Sequence, residues 1–186
     1  MESELIRSCL AGGPAAFEPL VRAYEARAFA LAEAILGDRD EAADAVQDAF
    51  VRAYRSLGRV REGRAFGPWF RAILRNLCLD RLRSPRRRRR RWTEREVDRW
   101  AWAEPQGAER LVREERAAAV RAALATLSAD HREVLVLKEL EGLSYAEISE
   151  LTGVPAGTVA SRLYHARSAL RRALVERGFP FEESVA

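Results

Sequence analysis

Apolar residues recur at spacings of three and four along most of the chain, which predicts an all-α protein. In the first eighty residues, this pattern predicts helices over residues 14–36, 38–57 and 68–83. Gly37 ends the first helix, and residues 58–67 read as a loop with three glycines and three arginines. No stretch alternates apolar and polar residues as a strand would. Residues 1–84 are therefore predicted to form one small helical domain.

A second set of helical patterns begins near residue 108. After two longer helices, Ser144 and Glu147 have capping-box spacing, Gly153 is placed to stop a short helix, and Pro155 suits the first turn of the next. These features predict a helix-turn-helix, whose second helix fits the major groove of DNA. An ordinary helical hairpin with a solvated face is the alternative interpretation.

The stretch between the two sets lacks a regular pattern. Ser84-Pro85 marks a helix end, six arginines follow at residues 86–91, and Trp92, Trp100 and Trp102 lie beyond them. The predicted fold is therefore all-α, with two small helical domains joined by a flexible linker. The domains comprise residues 1–84 and 109–177, the linker residues 85–108, and a short tail residues 178–186.

Charge is strongly segregated, although the net charge is only +4. Residues 58–92 contain 13 arginines and 2 acidic residues, a net charge of +11, whereas residues 1–57 have a net charge of −4. Such a basic block predicts a polyanionic partner. Arg81, Arg83 and the arginines at 86–91 can neutralise phosphates without reading sequence. The run at 86–91 is also compatible with a solvated segment, because nearly all basic residues in this sequence are arginines.

Several classes of function are not predicted. No apolar run approaches the roughly 18 residues of a membrane span, and no signal peptide is recognisable. Cys9 and Cys78 have neither metal-ligand spacing nor a disulfide framework. No phosphate-binding glycine loop, metal cluster or nucleophile–base pair is apparent. We expect a cytoplasmic, non-catalytic protein with no cofactor, no metal and no membrane insertion of its own.

Four motifs in order carry a family resemblance: FEPLVRAY at residues 17–24, AADAVQDAFVRAY at 42–54, WFRAILRNLCLDRLR at 69–83 and GTVASRLYHAR at 157–167. With them the chain resembles the extracytoplasmic-function (ECF) sigma factors of bacterial RNA polymerase. The resemblance spans both predicted domains. It implies an alternative sigma factor that directs core RNA polymerase to promoters and assists DNA opening.

The resemblance also implies partners. The first domain would dock on the clamp helices of the β′ subunit through Asp44, Gln47, Asp48 and Val51, and the second domain would meet the β flap. From the residues alone, this acidic helix is equally compatible with a solvated face. Promoter DNA and an anti-sigma factor are the other partners that the family implies.

In the family, the third helix and the loop before it open and read the minus-ten element. The matching positions here are Arg61, Arg64, Phe66, Trp69, Asn76, Asp80 and Arg83. An asparagine offers both a donor and an acceptor, which suits a base edge. In the family, the loop captures a flipped base, whose unstacking costs a few kcal/mol. Trp69 is compatible either with stacking on melted DNA or with a place in the core.

Recognition of the minus-thirty-five element is implied for the helix-turn-helix. The matching positions are Ser144, Tyr145, Thr158, Ser161, Arg162, Tyr164, His165 and Arg167. Ala160 and His165 stand where the family often has a cation, which predicts weaker or different specificity at this element. Arg171 and Arg172 are expected near the DNA backbone.

Two other functions are compatible with parts of the sequence. A one-component regulator would combine a ligand-sensing first domain with the helix-turn-helix, but it would not need the Gln47-Asp48 helix or the basic block. An RNA-binding adaptor would use the arginine run alone. Binding of core polymerase by the first domain separates the sigma factor from the first alternative, and an effect of Asn76 on promoter opening separates it from the second.

Overall fold

The computed structural model describes Cys9 and residues 14–59, 65–83 and 108–179. The chain divides into two compact units, Met1–Leu82 and Arg83–Ala186, and each is described by itself. The prediction of an all-α fold is confirmed, since every regular element in these ranges is helical.

Three α-helices of the first unit lie within residues 14–59 and 65–83. A 3₁₀ turn at Pro14–Phe17 leads into α1 (Glu18–Leu36), followed by α2 (Arg39–Ser56), a second 3₁₀ turn at Leu57–Arg59, and α3 (Phe66–Arg83). Helix α1 ends at Gly37, whose φ of 69° is the left-handed conformation that glycine adopts easily. Asp38 then caps α2, because its carboxylate accepts a hydrogen bond of 2.9 Å from the Glu41 amide. The two helices thus reverse direction over two residues.

Aromatic rings fill the core of the first unit. Phe50 and Phe70 stack at a centroid distance of 4.5 Å, and Phe66 stacks on Phe70 at 5.4 Å. Phe17 meets Phe50 edge to face at 6.3 Å. These rings come from α2, α3 and the turn before α1, so their burial holds the three helices together. This packing determines which side chains of α2 and α3 remain exposed.

The second unit contains α4 (Ala108–Thr126), α5 (Ala129–Glu139), α6 (Tyr145–Thr152) and α7 (Ala156–Val175). The capping box predicted at the start of α6 is present, with reciprocal bonds between Ser144 and Glu147. Gly153, with a φ of 72°, ends α6, and α7 begins one residue after Pro155. The helix-turn-helix is therefore present, although Pro155 precedes the first turn of α7 and does not lie within it.

Apolar residues from all four helices meet beneath the helix-turn-helix. Val134, Leu137, Ile148, Val159 and Leu163 are buried there in one cluster. The side chains of Val159 and Leu163 face inward on α7, as their spacing predicts. The opposite side of α7 is left to polar and charged residues.

A buried arginine ties α5 to the end of α4. The Nη2 atom of Arg132 donates to the carbonyl oxygens of Ala125 and Leu127, at 3.0 and 3.1 Å. Carbonyls in the last turn of a helix have no partner within the helix, so this side chain satisfies them.

An Arg132→Ala variant is expected to lower the free energy of unfolding of the second unit by about 2–3 kcal/mol, since it removes charge-assisted bonds to buried carbonyls. Hydrogen exchange of the α4 and α5 amides in the full chain would measure this change. The exposed Arg172→Ala variant is the control, and equal protection in the two variants would contradict the role of Arg132.

Candidate functional surfaces

A stripe of exposed side chains runs along α2. Asp44, Gln47, Asp48 and Val51 follow one another at spacings of three, one and three residues, so they lie on one face, and all four are exposed. Tyr54 continues the same face, and we call these five residues the α2 stripe. Its amino-terminal end is acidic and its carboxy-terminal end is apolar, with 43% of Val51 and 37% of Tyr54 exposed.

Tyr54 was not predicted as part of a functional surface, although it lies within the motif at residues 42–54. Its ring does contact the core, edge to face with Phe17 at 5.4 Å, but the residue remains partly exposed. The signal that would have found it is its position three residues after Val51. Large apolar residues exposed side by side on one face are typical of protein–protein interfaces.

Arg81 from α3 contacts the acidic end of the α2 stripe. Its Nη2 atom lies 2.6 Å from an Asp48 carboxylate oxygen, and its Nη1 atom lies 3.9 Å from Asp44. This differs from the sequence-based expectation that Arg81 neutralises phosphates. The guanidinium is instead held by two carboxylates of the neighbouring helix.

Four predicted positions lie on a second face, formed by α3. Trp69, Asn76, Asp80 and Arg83 are separated by seven, four and three residues, which places them along one side of the helix. Asn76, Asp80 and Arg83 are exposed. Trp69 is partly buried, with its ring edge to face against Phe66 at 5.7 Å. The Asn76 side-chain oxygen accepts a hydrogen bond of 3.0 Å from Arg75, and an asparagine amide nitrogen has two hydrogens to donate.

The loop position predicted for Phe66 is wrong. Helix α3 begins at this residue, and its ring is fully buried among Tyr24, Trp69 and Phe70. Phe66 therefore belongs to the core, and its ring is not on the surface of the unit. Arg61 and Arg64 lie outside the described residues.

The exposed side of α7 presents three of the residues predicted to read DNA. Thr158, Ser161 and His165 follow at spacings of three and four and are all exposed. Tyr164 is 72% exposed, and its ring meets that of His165 edge to face at 5.4 Å. Hydroxyl, imidazole and phenol groups therefore line one continuous side of this helix.

Arg162 and Arg167, which match family positions at the minus-thirty-five element, are paired with carboxylates of α5. The Nη2 atom of Arg162 lies 2.6 Å from an Asp130 oxygen. Arg167 donates from Nε and Nη2 to one Glu139 oxygen, at 3.0 and 2.6 Å. The hydrogen bond to Glu139 raises the pKa of the Arg167 guanidinium above its usual range. These acidic partners were not identified from the sequence, because each lies about thirty residues from its arginine.

Ser144 and Tyr145 lie at the start of α6. The Ser144 hydroxyl is engaged in the capping box, since it donates to a Glu147 carboxylate oxygen at 2.7 Å and accepts from the Glu147 amide at 3.2 Å. Tyr145 is partly exposed, with the Lys138 ammonium 5.5 Å from the centre of its ring. Lys138, the single lysine in the sequence, was not predicted in this position.

The remaining sequence-based expectations concern the linker and the cysteines. Arg86–Arg91, Trp92, Trp100 and Trp102 lie outside the described residues. Cys9 and Cys78 are free and buried, and burial raises the pKa of the Cys9 thiol. Across the described ranges, no three His, Cys, Asp or Glu residues are grouped to hold a metal, and no helix is long and apolar enough to span a membrane.

Comparison with known proteins agrees with this two-unit architecture. The family model for Sigma-70 region 2 matches residues 20–93, and that for Sigma-70 region 4 matches residues 117–170. The RNA polymerase sigma-H factor of Pseudomonas aeruginosa is 33% identical over 183 residues, covering 93% of each chain. The ECF RNA polymerase sigma factor SigM of Mycobacterium tuberculosis is 34% identical over 181 residues, covering 93% of this chain and 84% of SigM.

Among solved structures, the sigma factor RpoE of Bartonella quintana, in complex with the anti-sigma factor NepR, superimposes with a TM-score of 0.66. The two are 25% identical, and the match covers 86% of this chain and 96% of RpoE. The chain therefore belongs to the extracytoplasmic-function sigma factors, the alternative sigma factors that act with RNA polymerase in transcription initiation.

Proposed function

We propose that this sigma factor docks on core RNA polymerase through the α2 stripe, and that it holds promoter DNA with α3 in one unit and α7 in the other. The observation that carries the proposal is the different chemistry of these surfaces on three helices. The acidic and apolar stripe lies on α2, whereas the polar faces of α3 and α7 contain the groups that read or hold DNA.

Docking on the polymerase uses both ends of the α2 stripe. Val51 and Tyr54 supply apolar area that can be buried at the centre of an interface, while Asp44 and Asp48 suit a basic partner surface. In the family, this partner is the pair of clamp helices of the β′ subunit. The second unit would contact the β flap.

Recognition and opening of the minus-ten element rest on α3. Asn76 supplies the donor and acceptor pair that reads a base edge, and Arg83 on the same face can hold a phosphate. Asp80 can accept from a base amino group. Trp69, partly exposed at the start of the same face, can stack on an unpaired base. Arg61 and Arg64 in the preceding segment remain predicted contacts.

Recognition of the minus-thirty-five duplex rests on α7. Thr158, Ser161 and His165 face the major groove, and the exposed ring of Tyr164 can contact a sugar or a thymine methyl group. Ser144 and Tyr145, at the start of α6, lie where a helix-turn-helix contacts the sugar–phosphate backbone of DNA. Arg162 and Arg167 are phosphate contacts that must first leave their carboxylate partners.

The protein acts as a non-catalytic subunit, with catalysis supplied by the polymerase. Its place of action is the cytoplasm, where RNA polymerase works. We also infer regulation by an anti-sigma factor, which is supported by the match to RpoE in complex with NepR.

Transcription with purified core polymerase and a pool of genomic promoter fragments tests the proposal. Start sites mapped from the transcripts are expected to share one pair of upstream elements at a fixed spacing. Starts that are scattered, or that are the same with core polymerase alone, would contradict promoter selection by this chain.

A further inference from the structure

The two arginine–carboxylate pairs between α7 and α5 have a consequence for selectivity. Taking the proposed contact of α7 with DNA as its basis, we propose that Asp130 and Glu139 are specificity-determining residues. They compete with DNA phosphates for Arg162 and Arg167, and so weaken sequence-independent binding by the helix-turn-helix.

The geometry supports competition for Arg167. Two of its nitrogens donate to the same Glu139 oxygen, and the side chains of both residues are about half exposed, at 51% and 54%. The pair is therefore formed in the unbound protein but remains open to solvent. Exposed pairs of this kind are worth only about 0.2–1 kcal/mol, so a phosphate can displace the carboxylate.

Arg162 is more enclosed, with 27% of its side chain exposed, and it contacts Asp130 at 2.6 Å. Both pairs join the same two helices, one near each end of α5. Each carboxylate stays close to its arginine even after displacement, and repels an incoming phosphate. Every phosphate contact made through these arginines is thereby weakened.

The competition weakens phosphate contacts and leaves contacts to base edges unchanged. Phosphate contacts contribute affinity for any sequence, whereas discrimination depends on groups that reach base edges. Thr158, Ser161 and His165 form no ion pair with α5 within the described residues. Weakening the phosphate contacts alone therefore lowers binding to arbitrary DNA more than it lowers discrimination between sequences.

A double-mutant cycle in the full chain tests this proposal. Glu139→Gln is compared with Glu150→Gln, which makes the same change in net charge at an exposed position with no ion pair among the described residues. Both substitutions are made with Arg167 and with Arg167→Gln. The probe is a fluorescent 20-base-pair duplex of arbitrary sequence, titrated at several salt concentrations.

With Arg167 present, Glu139→Gln is expected to bind the duplex about two- to five-fold more tightly than Glu150→Gln. Its affinity should also fall more steeply with salt, by about one additional phosphate contact. With Arg167→Gln the two variants should bind equally. Equal affinity in the presence of Arg167, or a gain that persists without it, would overturn the proposal.

The single substitution Arg167→Gln separates this proposal from the function on which it rests. If Arg167→Gln weakens duplex binding while Glu139→Gln binds the duplex only as tightly as Glu150→Gln, then Arg167 contacts DNA but Glu139 does not compete with phosphate. If it leaves duplex binding unchanged, the contact of Arg167 with DNA fails, and the competition fails with it.

Discussion

A Val51→Arg variant is expected to bind core RNA polymerase about 30-fold or more weakly than the unmodified chain. Val51 belongs to the apolar end of the α2 stripe, and a long charged side chain there would prevent burial of that end. Substitution of an interface hot spot costs about 2 kcal/mol or more, which corresponds to this factor. Because 43% of Val51 is exposed, the fold of the first unit should be retained.

Fluorescence anisotropy of the labelled chain, titrated with core polymerase, measures this effect. Val175→Arg is the matched control, because it introduces the same residue at an apolar position that is 51% exposed on α7. Unchanged polymerase binding by Val51→Arg would mean that the α2 stripe is a solvated face. A similar loss in both variants would point to a general effect of added charge.

An Asn76→Ala variant is expected to reduce run-off transcription from a cognate promoter about ten-fold or more, while binding to core polymerase stays unchanged. The side chain is exposed on α3, where its oxygen accepts a hydrogen bond from the neighbouring Arg75. Its loss removes the donor and acceptor pair proposed to read a base, and good contacts of this kind are worth about 1–3 kcal/mol.

Glu25→Ala, at an exposed position on α1, serves as the control in the same unit. Potassium permanganate reactivity of unpaired thymines would show whether the lost transcription reflects lost opening. Full promoter opening by Asn76→Ala would contradict the assignment of this residue and favour an adaptor that uses the arginine run alone.

Local sequence rules predicted the helices and their ends well. Gly37 and Gly153 end helices in the left-handed conformation, and Ser144 with Glu147 forms the predicted capping box. Each of these features depends on residues within four positions of one another. The polar positions of α7 followed from the same helical spacing. The candidate residues of α2 and α3 came from the family resemblance.

Features that depend on tertiary packing could not be predicted in this way. Arg81 and Asp48 are 33 residues apart, and Arg167 and Glu139 are 28 residues apart, so no periodicity within one helix relates them. Phe66 is next to a glycine and follows a basic segment, which indicated a loop, yet rings from α1 and from the turn before it pack against Phe66. Tyr54 was also missed, because its ring contacts the core while part of the residue stays exposed, and spacing alone does not show this.

Site-specific photocrosslinking in the assembled polymerase tests the central claim most directly. A benzophenone amino acid would replace Asp80, exposed on α3, or Tyr164, exposed on α7, in otherwise identical complexes on one mapped promoter. If α3 and α7 hold promoter DNA as proposed, position 80 crosslinks to DNA near the minus-ten element and position 164 crosslinks to DNA near the minus-thirty-five element. Crosslinks from both positions to the same element, or from neither position to promoter DNA, would contradict it.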